Sequence, residues 1–133
     1  MTPRRGDRGQ VTVYVLVTTA VIAACLGLVF DAGRMLLDKA RASSAAHEAA
    51  RAGAQQVDLD ALAAGQGVHL DRGAALRAAY QHLADTGTGG EASVDGDTVT
   101  VTARRPYTSF ILPIGQRVAE ARASATAVTD PGR

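Results

Sequence analysis

Positions 11 to 30 read VTVYVLVTTAVIAACLGLVF, with no charge and no polar face, and are bracketed by Arg8 and Asp31. A helix rises about 1.5 Å per residue, so a run of about 20 spans roughly 30 Å, the hydrocarbon thickness of a bilayer. The strongly apolar members, among them Val13, Leu16, Val21, Ile22, Leu26 and Phe30, together favour insertion by very roughly 3 to 6 kcal/mol. Thr12, Thr18 and Thr19 offset part of this, although a hydroxyl can bond back to the carbonyl one turn earlier. The competing reading is a buried helix of a soluble core. A helix on a soluble core normally keeps one polar face, which this run lacks, so the pattern predicts a transmembrane helix over 11–30.

The helical pattern does not stop at the charged residue. From Asp31 to Val57 there is no proline, and Ala, Leu, Arg and Glu dominate, all good helix formers. Arg34 and Asp38 stand at i,i+4, and Glu48 and Arg51 at i,i+3, supportive spacings on an exposed face. One helix of roughly 45 residues follows, half in lipid and half above it. Small residues recur every fourth position at Ala42, Ala46, Ala50 and Ala54, and at Thr19, Ala23 and Gly27 within the span. An Ala-rich chain produces some such spacings unaided. Read as packing positions, they let a second backbone approach closely.

Asp58 to Gly67 loosens the helix, with Gly65 and Gly67 marking a turn. A second helix is expected from Arg72 to Asp85, with Leu76, Ala79, Tyr80 and Leu83 on one face. Thr86 to Gly90 reads as a linker, since it lacks the Gly-Lys-Ser/Thr ending of a phosphate loop. The period then changes from 3.6 to 2. Val94-Asp95-Gly96-Asp97-Thr98 reads as a hairpin turn on its Asp-Gly signal, after which Val99, Val101 and Ala103 oppose Thr98, Thr100 and Thr102. Beyond a loop, Val118 to Val128 alternates Ala119, Ala121, Ala123, Ala125 and Ala127 against Glu120, Arg122, Ser124 and Thr126. An all-alanine strand face suits close packing beneath a helix, here the Ala42–Ala54 stretch. Residues 130–133 form a frayed tail.

The expected fold is therefore α+β: a long N-terminal helix with a transmembrane lower half, a second short helix, and a small antiparallel sheet packed on the long helix. The divisions are 1–10, a basic cytoplasmic leader; 11–30, the membrane span; 31–57, the extracytoplasmic continuation of the helix; and 58–133, a small α+β region. Arg4, Arg5 and Arg8 precede the span, and the positive-inside rule keeps that end in the cytoplasm and places the rest outside. The Arg5-Gly6-Asp7 triplet carries no integrin-binding role on that side.

Composition narrows the function. Hydrophobic residues make up 47% of the 133, yet aromatics only 4%, with no tryptophan; alanine supplies much of the apolar content, so the part outside the membrane builds a thin core. A net charge of +1 with scattered basic residues argues against a nucleic-acid partner. The single cysteine, Cys25, excludes an intramolecular disulfide. Ile22-Ala23-Ala24-Cys25 has the small-residue pattern preceding a lipidated cysteine, but Leu26 to Phe30 continues the apolar run. A cleaved secretory signal is opposed by a run longer than such segments use. His47, His69 and His82 share no metal-ligand spacing with one another or with Cys25. Asp95 and Asp97 flank a turn glycine and need no calcium. No serine sits in a nucleophile elbow. The expectation is a protein that is not an enzyme, with no cofactor, no metal and no small-molecule substrate. The segment between Pro106 and Ile114 gathers Tyr107, Phe110, Ile111, Leu112 and Ile114. It reads as folded-back core or as an apolar loop for a partner or the membrane surface.

The text Arg8-Gly9-Gln10-Val11-Thr12-Val13, the apolar span, Asp31-Ala32-Gly33-Arg34 and the Ala-rich 41–54 run together resemble the N-terminal region of TadE/TadG-like proteins of the Flp (tight-adherence) pilus assembly system. The later Val-Thr strand and the Ser-Ala-Thr-Ala strand are similar to the extracytoplasmic domain of TadE-type proteins. The resemblance implies a pilin-like, membrane-anchored subunit or assembly factor of a surface pilus or secretion system. Its partners would be membrane lipid and other pilin-like subunits or assembly proteins, met through the Ala-rich helix. In pseudopilins a prepilin peptidase cuts after glycine, with Glu at the fifth mature position. Gly9 and Gln10 match the cut, and Tyr14 stands at that fifth position. The alternative is a single-pass, membrane-tethered extracytoplasmic binding module, with or without a lipid on Cys25, unrelated to pili.

Overall fold

The computed structural model describes residues 7–108 and 116–127. Helix α1 runs from Asp7 to Ala54, α2 from Leu59 to Ala63 and α3 from Arg72 to Asp85. Three strands follow: β1 (Gly89–Asp95), β2 (Thr98–Thr108) and β3 (Gln116–Thr126). The strands form one antiparallel sheet in the order β1-β2-β3. The α+β fold expected from the sequence is the fold observed.

The upper part of α1 and the whole of α3 pack on one face of this sheet. The buried cluster joins Ala42, Ala45, Ala46, Ala49 and Ala50 of α1, Ala75, Ala79 and Leu83 of α3, Val94, Val99, Val101 and Ala103 of the hairpin, and Ala123 of β3. Among the described residues, Val99 and Val101 are the largest side chains that are fully buried. A core built so largely of alanine holds its layers together through close backbone approach, since its side chains cannot reach far.

The seam between α1 and β3 forms as the alternation predicted. Ala119 and Ala123 are buried and Ala121 and Ala125 pack against the core, while Glu120, Arg122, Ser124 and Thr126 are exposed. On β2 the valines and Ala103 face inward, and the threonines stand on the half-exposed outer face. There Thr98 and Thr126 pair through their hydroxyls at 3.0 Å.

The structure departs from the sequence reading at four places. Helix α1 ends at Ala54 and not at Val57, because Val57 pairs instead with Leu70. Around that bridge Asp58 N–H donates to His69 O at 2.8 Å, and Asp71 N–H to Gln56 O at 2.9 Å. These bonds close the α2 excursion at its neck. Within it Asp58 Oδ1 accepts from the amides of Asp60 and Ala61, an N-cap that stabilises a helix of only 5 residues.

Second, α3 has the expected bounds but a rotated face. Ala75 takes the buried position, while Tyr80 is 46% exposed and its hydroxyl accepts from the Ala92 amide at 3.2 Å. Third, the stretch read as a linker is ordered. Gly87 has φ +61°, its amide donates to Ala84 O, and the Thr88 amide donates to Leu83 O, a Schellman closure of α3. Gly89 and Gly90 then open β1. A Cβ at Gly90 would run into the Thr102 carbonyl oxygen, so only glycine lets β1 and β2 approach there beneath Leu83. Fourth, β2 continues through Pro106 and Tyr107 to Thr108, with Tyr107 opposite Arg117. The hairpin turn is Gly96-Asp97, with Gly96 at φ +55°, inside the stretch from Val94 to Thr98 that the sequence reading gave it.

Candidate functional site

The candidate site is α1 itself, because its two halves meet different surroundings. From Val11 to Phe30 every large apolar side chain is more than half exposed; Tyr14 reaches 73% and Val29 71%. No other part of the described chain packs on this segment, and its most apolar window is wholly unburied. Above it, Ala42 and Ala46 are at 0% and Ala50 at 1%. The small side chains are covered and the large ones are not, the reverse of a helix that serves a soluble core.

The sequence-predicted packing positions divide along the same line. Ala42, Ala46 and Ala50 are buried beneath the chain's own sheet and α3, with Ala54 half-buried at the edge. The alanine face of the upper half is thus covered within the chain, while Arg41, Ser44, His47, Glu48 and Arg51 stand exposed on the other side. Thr19 and Ala23 are exposed and Gly27 is half-buried by its own helix. Thr19 Oγ1 donates back to Val15 O at 2.8 Å, which removes a bare hydroxyl from an apolar surface.

Gly9 and Gln10 lie in the first turns of α1, both exposed, and nothing within 4 Å would meet a Cβ on Gly9. Cys25 is exposed on the helix as a free thiol. The helix continues without a break through Leu26 to Phe30. Of the apolar loop, Tyr107 lies on β2, while Phe110, Ile111, Leu112 and Ile114 lie outside the described residues.

The titratable groups are spread as ties between elements. His82 Nε2 meets Glu48 Oε2 at 3.1 Å, joining α3 to α1. His69 Nδ1 stands 3.7 Å from Asp97 Oδ1, and that oxygen also accepts from the Leu70 amide at 3.2 Å. His47 is exposed on α1. Arg104 sits between Glu91 (3.0 Å) and Glu120 (3.5 Å) on the outer sheet face; the hydrogen bond it donates to Glu91, with the two carboxylate charges, raises its pKa further. Asp38 lies 3.7 Å from Arg41 and 3.8 Å from Arg105, pinning β2 to α1 just above the span. Sequence reasoning paired Asp38 with Arg34. Arg34 turns down over the Phe30 ring at 5.6 Å instead, and Arg105 arrives from a strand whose register no local spacing encodes. Among the described residues no three His, Cys, Asp or Glu side chains gather as metal ligands.

With this geometry in place, the comparison with protein families is decisive for one part of the chain. Residues 9–56 match the Tad family, described as Flp pilus-assembly TadE/G-like. This stretch is TadE/G-like. The match covers 48 of the 133 residues and coincides closely with α1, Asp7–Ala54. It bears out the resemblance read from the sequence over that stretch. No curated protein and no solved structure matches the chain. The TadE/G-like helix is also the one described helix long and apolar enough to cross a membrane.

Proposed function

We propose that the chain is a pilin-like, membrane-anchored subunit or assembly factor of a Flp-type surface pilus, with its N-terminus in the cytoplasm and residues from Asp31 onward outside. One observation carries the reading: the family match falls on a single helix whose lower half is apolar and unpacked while its upper half carries the folded domain. A helix of that form is an anchor by its lower half and a spine by its upper half. The partners under this reading are lipid and other pilin-like or assembly subunits. They meet the chain through the Thr19, Ala23, Gly27 side of the span, since the upper alanines are already covered. The reading assigns no catalytic step and no cofactor; the work is binding and assembly.

The decisive experiment places a photo-crosslinking residue at Ala23 in the full chain within its native membrane, with a second at Ser44 as comparison. Crosslinks from Ala23 to a further pilin-like or assembly subunit are expected; an Ala23 crosslinker that captures only lipid would overturn the subunit role. A cytoplasm-only reporter fused after Arg133 should be silent, and its activity would reverse the topology. Intact mass of the extracted protein separates the remaining cases. A start at Gln10 indicates prepilin-type cleavage, the full mass a plain anchor, and a lipid-modified start at Cys25 the tethered-module alternative.

A further inference from the structure

The register of the sheet against α1 fixes which end of the folded domain faces the apolar span. A Cβ at Gly53 would lie 3.0 Å from Val99 Cγ1, and Asp38 lies 3.8 Å from Arg105. Between those two levels α1 descends 15 residues, about 22 Å, while β2 advances 6, about 20 Å. The strand therefore runs nearly antiparallel to the helix. Beyond Arg105, β2 continues to Thr108, paired with Gln116, about 10 Å further down. The same distance along α1 leads from Asp38 to Asp31. The end of the β2–β3 ladder is thus level with the end of the apolar run.

Two further features lie in that band. Met35, Leu36 and Leu37 are 48%, 71% and 57% exposed. Three consecutive residues point to three sides of a helix, so they ring α1 above the 20-residue span, and among the described residues no element covers them. In the same band of α1 and the β2–β3 ladder lie Arg34, Lys39, Arg41, Arg105 and Arg117 against Asp31 and Asp38, with Asp38 3.7 Å from Arg41 and 3.8 Å from Arg105. Arg104, on the outer face, is already held by two glutamates. The opposite end of the domain is acidic, with Asp58, Asp60, Asp71, Asp95 and Asp97 near Arg51 and Arg72.

We propose that this lower end of the domain is seated on the phospholipid headgroup layer: the Met35–Leu37 ring lies at the boundary with the acyl chains and the arginines and Lys39 meet acidic headgroups. The contact is separate from the span and rests on the membrane reading given above. It sets the domain upright on its helix, with the acidic end directed away from the bilayer. Interfacial apolar residues and juxtamembrane cations contribute independently to such a contact.

The test uses the full chain in phosphatidylcholine vesicles with and without phosphatidylglycerol. An environment-sensitive fluorophore is carried on one cysteine at a time: the native Cys25, or Val118→Cys or Ser93→Cys in a Cys25→Ala background. Val118 and Ser93 are both exposed on the sheet, near its lower and upper ends. Quenching by neutral acrylamide reads burial in the membrane. The expected result is protection and a blue shift at Cys25 in both vesicles, none at Ser93, and protection at position 118 that increases with phosphatidylglycerol. If position 118 is quenched like position 93 while Cys25 stays protected, this contact does not exist and the span reading stands. Equal protection at 118 in both vesicles overturns the acidic-headgroup assignment. Quenching at Cys25 overturns the membrane reading and the contact together.

Discussion

The two halves of α1 have nearly the same secondary structure and opposite surroundings. Below Asp31 the helix displays Val, Leu, Ile and Phe on every side, all exposed; above Arg41 it displays alanine, and the alanines are buried. Size explains the division. Large apolar side chains suit a solvent of hydrocarbon, where no close partner is needed and each residue gains by transfer alone. Small ones suit a surface against which a sheet and a helix must come close enough to exclude water without large side chains to fill the space. The lesson is that hydrophobicity alone does not locate a core. In this chain the more hydrophobic half of the helix is the exposed half.

The sharpest way to break the comparison is to make the lower half polar. Val21→Arg combined with Ile22→Arg places two charges at the middle of the span and should cost about 5–7 kcal/mol of insertion free energy, as much as the whole run supplies. The full chain should then move from the carbonate-resistant membrane fraction to the soluble or aggregated fraction. Retention in the membrane would show that the segment does not cross it.

Overfilling the upper half has the next largest effect. Ala123 is 5% exposed beneath α1, and Ala123→Leu forces extra methylenes between two backbones, costing about 1–3 kcal/mol. Ser124→Leu puts the same side chain on the exposed face and should be nearly neutral. Limited proteolysis of the micelle-bound chain reads the difference. Equal resistance would mean that β3 does not lie on α1.

How much of this was legible depends on where the information sits. The span, the long helix, the bounds of α3 and the inward faces of β2 and β3 are periodic, and periodicity is local. The ordered Thr86–Gly90 passage was hidden because its glycines serve a helix closure and a tight approach to Thr102, and composition makes both look like a linker. The extension of β2 past Ala103 was hidden by Pro106, whose ring discourages a central strand. The Asp38–Arg105 tie needs the register of a hairpin to bring residues 67 apart in sequence within reach. Of the candidate site, the long apolar stretch of α1 was legible, while the burial of the upper alanines by this chain's own sheet required the fold.

Glycine gives a finer comparison along α1, between its uncovered lower turns above Asp31 and its packed upper end, because the same substitution meets opposite conditions. In a helix interior Gly→Ala gains up to about 1 kcal/mol in propensity. At Gly33 a Cβ meets nothing within 4 Å, so Gly33→Ala should leave the domain's guanidinium midpoint in micelles unchanged or raised. At Gly53 the new carbon would lie 3.0 Å from both the Ala75 carbonyl oxygen and Val99 Cγ1. The carbonyl is backbone and moves only with α3, so the clash outweighs the propensity and Gly53→Ala should lower stability by about 1 kcal/mol. A rise at Gly53 would show that α3 is free to shift on α1.

The smallest effect is expected where the two halves join. Asp38 is flanked by Arg41 at 3.7 Å and Arg105 at 3.8 Å, with the Arg41 side chain 62% and the Arg105 side chain 31% exposed. Contacts of that length between solvated groups are worth about 0–1 kcal/mol, since Coulomb attraction is weakened by water and the long side chains lose freedom to hold one geometry. Asp38→Asn removes the charge and keeps the shape, and should lower the domain's unfolding free energy by less than about 1 kcal/mol, a difference that fades further at high salt. The domain stays on its helix because the Ala42–Ala50 face is packed, and the ion pairs only trim its lower edge. A loss larger than that of Ala123→Leu would reverse this ranking. The joint would then depend on charge, and the upper half of α1 would need its lowest turn fixed before the alanine seam could close.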